Sequence, residues 1–307
     1  MVGGIVMKKK KSISMFDTLN TIFMLLVLFV TIYPLYYTVI ASFSSPDAVA
    51  AGDITWKPIG LTWESYQHVF RNKRIWTGYA NTIFYTFFGT MFNLFLTIPS
   101  AYALSKKELP YRKTIMTLFL ITMYFSGGMV PEYLLIKKLG LVNTRFTLVI
   151  LAGLSAYNMI VTRTYFSTSI SESLYEAAEI DGAGEIKKFV SIAIPLAKAI
   201  IAVMVLYYAV SHWNSYFNAL LYISKREYEP LQLVLRDILI QNQSAVDMTL
   251  AMDDASTEEI MDAARRGRLA YTMKYAVVFI ASAPLLIMYP FVQKFFVKGV
   301  MIGSVKG

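Results

Sequence analysis

The chain has no cysteine among its 307 residues. That excludes disulfides, zinc fingers, iron–sulfur ligation and a cysteine nucleophile. Histidine is nearly absent: His68 and His212 are the only two, too few and too far apart for a histidine-rich metal site. Charge is scarce, at 16% of residues, where a soluble globular protein carries about 25%. No Gly-x-x-x-x-Gly-Lys-[Ser/Thr] phosphate loop is present. Gly182-Ala183-Gly184-Glu185-Ile186-Lys187 contains glycines at the wrong spacing, so the chain is not expected to bind ATP itself. There is no His-Glu-x-x-His zinc pair. Ser211 and His212 are neighbours that face different sides of a helix, which argues against a serine enzyme.

What is present is apolar. Hydrophobic residues make up 56% and aromatics 15%, and the mean hydropathy is +0.50. This is a membrane composition and not that of a disordered chain. The net charge of +9 comes from 29 basic against 20 acidic residues. It is assigned to Lys and Arg flanking cytoplasmic span ends, with no nucleic-acid partner expected.

The pattern predicts an all-α polytopic membrane protein with six transmembrane helices and a cytoplasmic coupling helix. Lys8-Lys9-Lys10-Lys11 precedes an apolar run at residues 19–40. That run is longer than a signal core and is read as an uncleaved first span with its N-terminus inside. Further spans are expected at about 79–104, with a kink at Pro99, and from Thr114, broken at Gly127-Gly128 and Pro131. The others fall at about 146–161, 199–223 and 275–297. Residues 1–18 form a cytoplasmic segment and 19–307 one permease domain. The positive-inside rule supports this orientation in part: Lys106, Lys107, Arg112 and Lys113 lie inside, while Lys137, Lys138 and Arg145 lie in a loop placed outside.

Two polar segments interrupt the spans. The outer one, about 224–274, carries Asp253-Asp254, Glu258-Glu259 and Asp262 before a basic cluster. It predicts a short surface helix capped by Ser256 or Thr257 and ended by Gly267. The acids lack the alternate spacing of a calcium loop. The inner one, about 163–195, predicts a helix–turn–helix. Ser171 or Ser173 caps the first helix, Asp181-Gly182 turns the chain, and a second amphipathic helix puts Ile186, Phe189, Val190 and Ile194 on one side. The small Ala177-Ala178 pair admits close approach by another backbone. From the residues alone, a docking loop and an ordinary amphipathic connector both fit.

The string Glu176-Ala177-Ala178, then Asp181-Gly182-Ala183, then Phe189, Ile192 and Pro195, resembles the Glu-Ala-Ala loop of bacterial ATP-binding-cassette importer permeases. His212-Trp213-Asn214-Ser215-Tyr216-Phe217, Gly127 to Leu135 and the C-terminal tail resemble the carbohydrate branch of that family, and the maltose-permease-like subunits serving oligosaccharides from plant or algal polysaccharides. Ala199 departs where relatives carry a second proline, and Glu132 where a neutral residue is expected. The resemblance implies a multi-pass subunit of the bacterial cytoplasmic membrane with both termini cytoplasmic. It implies a second homologous permease, a dimer of ATPase subunits holding ATP and Mg, an extracellular solute-binding protein and an oligosaccharide substrate. No cofactor is implied in this chain. The Glu-Ala-Ala loop would couple to the ATPase.

Polar groups inside spans are functional candidates. Trp213, Asn214, Tyr216 and Asn218 pair aromatic faces with amides, as a sugar requires; interhelical hydrogen bonding is the other reading. Tyr124, Asn93 and Asn158 are further pathway candidates, and His212 is read as a satisfied packing residue. The rival to an importer subunit is a stand-alone secondary transporter of a small polar solute. That reading wants charged span centres and inverted repeats, and neither is evident.

Overall fold

In a bilayer each backbone N–H and C=O must find a partner within the protein, so long apolar runs become helices. The computed structural model describes residues 15–151, 153–250 and 256–303, and no strand occurs among them. Lys8–Lys11, Asp253, Asp254 and Ser304–Gly307 lie outside the described residues. The helices are α1 (Met15–Ser42), α2 (Pro46–Ala51), α3 (Glu64–Arg71), α4 (Lys73–Ser105), α5 (Arg112–Tyr124), α6 (Met129–Lys138), α7 (Arg145–Ile150) and α8 (Ala156–Ser169). They continue as α9 (Glu172–Ile180), α10 (Glu185–Lys188), α11 (Ile194–Leu196), α12 (Lys198–Trp213), α13 (Phe217–Tyr222), α14 (Leu231–Leu250) and α15 (Thr257–Gly303).

Among the described residues, three stretches are long and apolar enough to cross a bilayer alone: α1, α4 and Ile260–Pro290 of α15. Two broken pairs join them, α5 with α6 at 112° and Glu185–Leu196 with α12 at 79°. α1 is apolar all round and its span is unburied within the chain, so its surface is left for lipid or another subunit. α4 is the hub and packs on α7, α8, α12 and α14. Its buried polar residues tie these neighbours. Thr97 Oγ1 bonds Tyr208 Oη at 2.7 Å. Thr82 Oγ1 accepts from the Leu231 N–H at 2.8 Å. The Asn81 side-chain amide donates to the carbonyls of Glu227 and Glu229 at 2.8 and 3.0 Å. In a membrane such bonds do the work that apolar burial does in water.

Several boundaries differ from the sequence pattern. α4 starts at Lys73, six residues before the predicted span, and holds Pro99 within it. The predicted fourth span is two helices, with α7 ending at Ile150, residues 153–155 outside any helix and α8 running to Ser169. The break is stabilised locally, because Asn93 takes the Gly153 carbonyl and Ser155 Oγ accepts from the Asn158 N–H. Gly267 ends nothing: α15, 47 residues long, runs on through it. There Arg265 and Arg268 pair with Glu64 and Asp47 at 3.8 and 2.7 Å, and Met273, Ala276 and Val277 pack in a shared core with α14. Tertiary contacts outweigh the glycine's weak propensity. The outer segment is therefore a helical hairpin. Thr82 meets Leu231, whereas Arg74, eight residues nearer the α3 end, meets Asp237. α14 thus runs antiparallel to α4 and out toward α3.

Candidate functional site

The inner elbow is built by short-range rules. Ser171 has the extended backbone of an N-cap but no capping bond; its Oγ bonds Ser173 Oγ at 2.8 Å. α9 closes with Gly182 at φ +73°. The Gly182 N–H reaches the Glu179 carbonyl and the Ala183 N–H reaches the Ala178 carbonyl, both at 2.9 Å. This is a Schellman closure, which needs a residue without a Cβ penalty at its left-handed position. The spacing Ala178, Gly182, Ala183 is the sequence trace of that closure.

Side chains then bolt the elbow to the end of α4. Tyr175 is buried, packs edge-on against Tyr102 at 6.0 Å, and lies 3.3 Å beneath the Lys106 ammonium. Burial pushes the Tyr175 hydroxyl up to about 12, so it stays neutral in any cell. Lys188 is only 6% exposed at its side chain and bridges Glu179 at 2.8 Å and Glu185 at 3.0 Å. Those hydrogen bonds raise the Lys188 ammonium above its usual value, Glu179 contributing most. The Lys188 bond in turn holds the Glu185 carboxyl below its usual range. Tyr102 Oη donates to Glu185 Oε2 at 3.3 Å, and Lys107 meets Glu172 at 2.7 Å on the surface. Sequence reasoning missed Tyr102, Tyr175 and Lys188, because their partners lie across the turn or on α4.

The second arm is not one amphipathic helix. After α10 a π turn spans Phe189–Ala193, with the Ile194 N–H reaching back to the Phe189 carbonyl. Pro195 follows, and the chain bends at buried Ala197. The wider turn rotates the register, so the four expected apolar residues do not share a face. Phe189 packs against Tyr102 with tilted rings at 4.9 Å and Ile192 packs with it in the core, whereas Ile186 and Val190 are 82% and 53% exposed. With Ile180 at 88% and Leu174 at 45% exposure, they leave an apolar patch around the Gly182 turn. Glu176, Ala177 and Asp181 are exposed beside it, Ala178 and Ala183 are half-buried, and Pro195 is exposed. Glu176 has no ion pair or hydrogen bond among the described side chains.

The pathway candidates divide. Asn93 Oδ1 lies 2.7 Å from His212 Nε2 and its amide reaches the Gly153 carbonyl at 2.8 Å. α4, the break before α8 and the end of α12 thus meet at one node. Gly89 makes room for it: a Cβ there would stand 2.4 Å from the His212 ring. α12 stops at Trp213, and Asn214, Tyr216 and Phe217 are exposed at the break, with Asn218 half-buried. Trp213 turns the other way. It is buried and its indole N–H donates to the Ala281 carbonyl at 2.9 Å. Asn158 is buried at the start of α8, and Tyr124 stands 77% exposed at the end of α5, apart from the rest.

The chain is similar to known proteins over nearly its whole length. Residues 75–302 match the model of the family described as binding-protein-dependent transport system inner membrane component. Protein LplC of Bacillus subtilis is 37% identical over 98% of both chains. The polygalacturonan/rhamnogalacturonan transport system permease protein YtcP of the same organism is 33% identical, over 95% of this chain and 99% of the relative. Among solved structures, a chain of a bacterial ABC transporter involved in the import of the acidic polysaccharide alginate superposes with a TM-score of 0.79. It is 34% identical and covers 94% of this chain and 98% of that one.

Proposed function

The chain belongs to the family of binding-protein-dependent transport system inner membrane components, and from that premise we propose that it is one of two permease subunits of an importer for oligosaccharides. It is a membrane component of an ATP-binding-cassette importer. The substrate class is carried by the relatives, whose names give polygalacturonan and rhamnogalacturonan, arabinooligosaccharides and alginate.

In this reading six spans cross the membrane within residues 19–307. The elbow at about 163–195 docks in a groove of a separate ATPase that holds ATP and Mg. The second permease completes the pathway, and an extracellular binding protein delivers the sugar toward the hairpin at about 224–274. The start of α15 meets α2 and α3, at the far end of α4 from the elbow. That supports placing both chain termini and the elbow on the cytoplasmic side. Asn214, Tyr216 and Asn218, exposed at the α12 break, are the groups offered to substrate. Trp213, Asn93, Asn158 and Tyr124 line or support the path. ATP-driven closure moves the elbow as one body and rocks α12 between two packed arrangements.

The observation that carries the proposal is the apolar patch of Ile180 and Ile186 around an elbow packed onto α4 through the contacts of Tyr102 with Tyr175 and Glu185. Exposed apolar clusters of this kind mark protein interfaces. The experiment is solubilisation of native membranes and recovery of the chain with its companions. A second permease and an ATPase are expected to co-purify, the ATPase being lost with Glu176→Lys or Gly182→Pro while membrane insertion survives. Wild-type-like uptake and ATPase recovery in both variants would refute the docking role.

A further inference from the structure

Three of the four tryptophans in the chain lie in the connection between α1 and α4 or in the first turn of α4. Trp56, Trp63 and Trp76 are 54%, 63% and 58% exposed. α3 lies across this end with Tyr66 and Val69 buried beneath it. Phe70 stacks on Trp76 at 5.7 Å, and the Trp76 indole N–H donates to the Phe70 carbonyl at 3.1 Å. Trp63, Tyr66, Gln67, Phe70 and Arg71 line an open trough of about 480 Å³.

Two features give the trough a chemistry. Arg71 at its rim is exposed and has no counter-ion among the described residues, whereas nearby Arg74 is held by Glu229 and Asp237 at 2.6 and 3.0 Å. Below the trough, Trp76 heads an exposed apolar stripe of Ile83, Phe87, Met91 and Phe95. These positions share one face of α4. From Trp76 to Phe87 the helix rises about 16 Å, roughly the hydrocarbon depth of one leaflet when the whole core is ~30 Å. A free cation above aromatic rings, continuous with an apolar strip one leaflet long, matches a molecule with an anionic head and an acyl tail. An acidic sugar would also satisfy the guanidinium. Among the residues lining the trough, however, only the Gln67 amide and the Trp63 indole N–H offer exposed uncharged hydrogen-bonding groups, and the open side runs into the apolar stripe.

We propose that α3 and the outer face of α4 form a binding site for an anionic glycerophospholipid, with its phosphate at Arg71, its glycerol region over the Trp63–Phe70 trough and an acyl chain along Trp76, Ile83 and Phe87. The site requires membrane residence and is independent of what the protein transports.

The test uses the full chain with its companion subunits in phosphatidylcholine nanodiscs containing a photoactivatable phosphatidylglycerol. Cross-links are mapped by peptide mass spectrometry. They are expected to concentrate between Trp63 and Phe87, and to be competed by unlabelled phosphatidylglycerol but not by added phosphatidylcholine. Arg71→Gln is expected to reduce them about fivefold, the effect of one cation at an anionic membrane surface, and Arg71→Lys to preserve them. Equal competition by phosphatidylcholine would reduce the site to an ordinary lipid shell. Competition by soluble glycerol phosphate or trigalacturonate would make it a headgroup-only or a sugar site. Absence of cross-links, with the segment shielded by the second permease, would make it a subunit interface. Each of these three results overturns the proposal.

Discussion

The elbow at α9–α10 and the node at Asn93–His212 are both polar interruptions of an apolar chain, and they are built on opposite plans. At the node every group has a partner within the chain: the amide and carbonyl of Asn93 are matched to Gly153 and His212, and Gly89 gives the ring its space. At the elbow the ionic groups are matched inward, Lys188 to Glu179 and Glu185, while Ile180 and Ile186 are turned out. The node turns its polar groups on one another, whereas the elbow leaves two large apolar side chains exposed. A polar residue in a span is therefore no guide to where contacts are missing, whereas an apolar residue on a charged loop is.

The sharpest break of the comparison is Gly89→Leu. A single Cβ already collides with the His212 ring at 2.4 Å, and overpacking of such a site costs about 1–3 kcal/mol or more. The expected result is a chain that melts well below wild type in detergent and no longer assembles. Gly89→Ala combined with His212→Ala should recover much of the loss that Gly89→Ala causes alone, a coupling that a double-mutant cycle reads directly. Strict additivity of the two substitutions would show that the ring is not fixed against α4.

At the elbow the reverse is expected. Ile180→Ser with Ile186→Ser should leave the melting temperature of the isolated chain unchanged, since both side chains are more than four-fifths exposed. The same pair should weaken capture of the ATPase by roughly 30-fold or more, the effect of losing about 2 kcal/mol at the centre of an interface. A drop in melting temperature without loss of capture would mean that these residues pack within the chain and do not dock.

How much of this was legible in the sequence depended on the range of the forces. α1 and α4 follow from long apolar runs, and the elbow from Asp181-Gly182 with Ala178 and Ala183 in register for a Schellman closure. Gly267 misled because its propensity is local, whereas the pairs of Arg265 with Glu64 and Arg268 with Asp47 that sustain α15 reach across about 200 residues. The break between α7 and α8 was hidden for the same reason: the partner for the Gly153 carbonyl is Asn93, sixty residues earlier. The latch at Lys188 was hidden by its own neighbours. Lys187-Lys188 reads as a solvated basic helix end, and only the fold shows that one of the two is buried.

The smallest expected effect concerns how that latch responds to pH. Glu185 has its carboxyl lowered from a usual 4.5, first by the Lys188 hydrogen bond. Its share of the latch is therefore full above that value and is lost as pH falls through the lowered one. Lys188 is raised from a usual 10.5, first by Glu179. Its share is full below that value and is lost as pH rises through the raised one. Between about pH 5 and pH 10 neither group changes state, so elbow rigidity should be flat across that window. Hydrogen exchange of residues 172–188, corrected for intrinsic rates, should show constant protection there and loosening only beyond either edge. Lys188→Met should remove both edges, because it removes the group they share, and Lys188→Arg should keep the acid one. A step in protection near neutral pH would assign the latch to some other titrating pair.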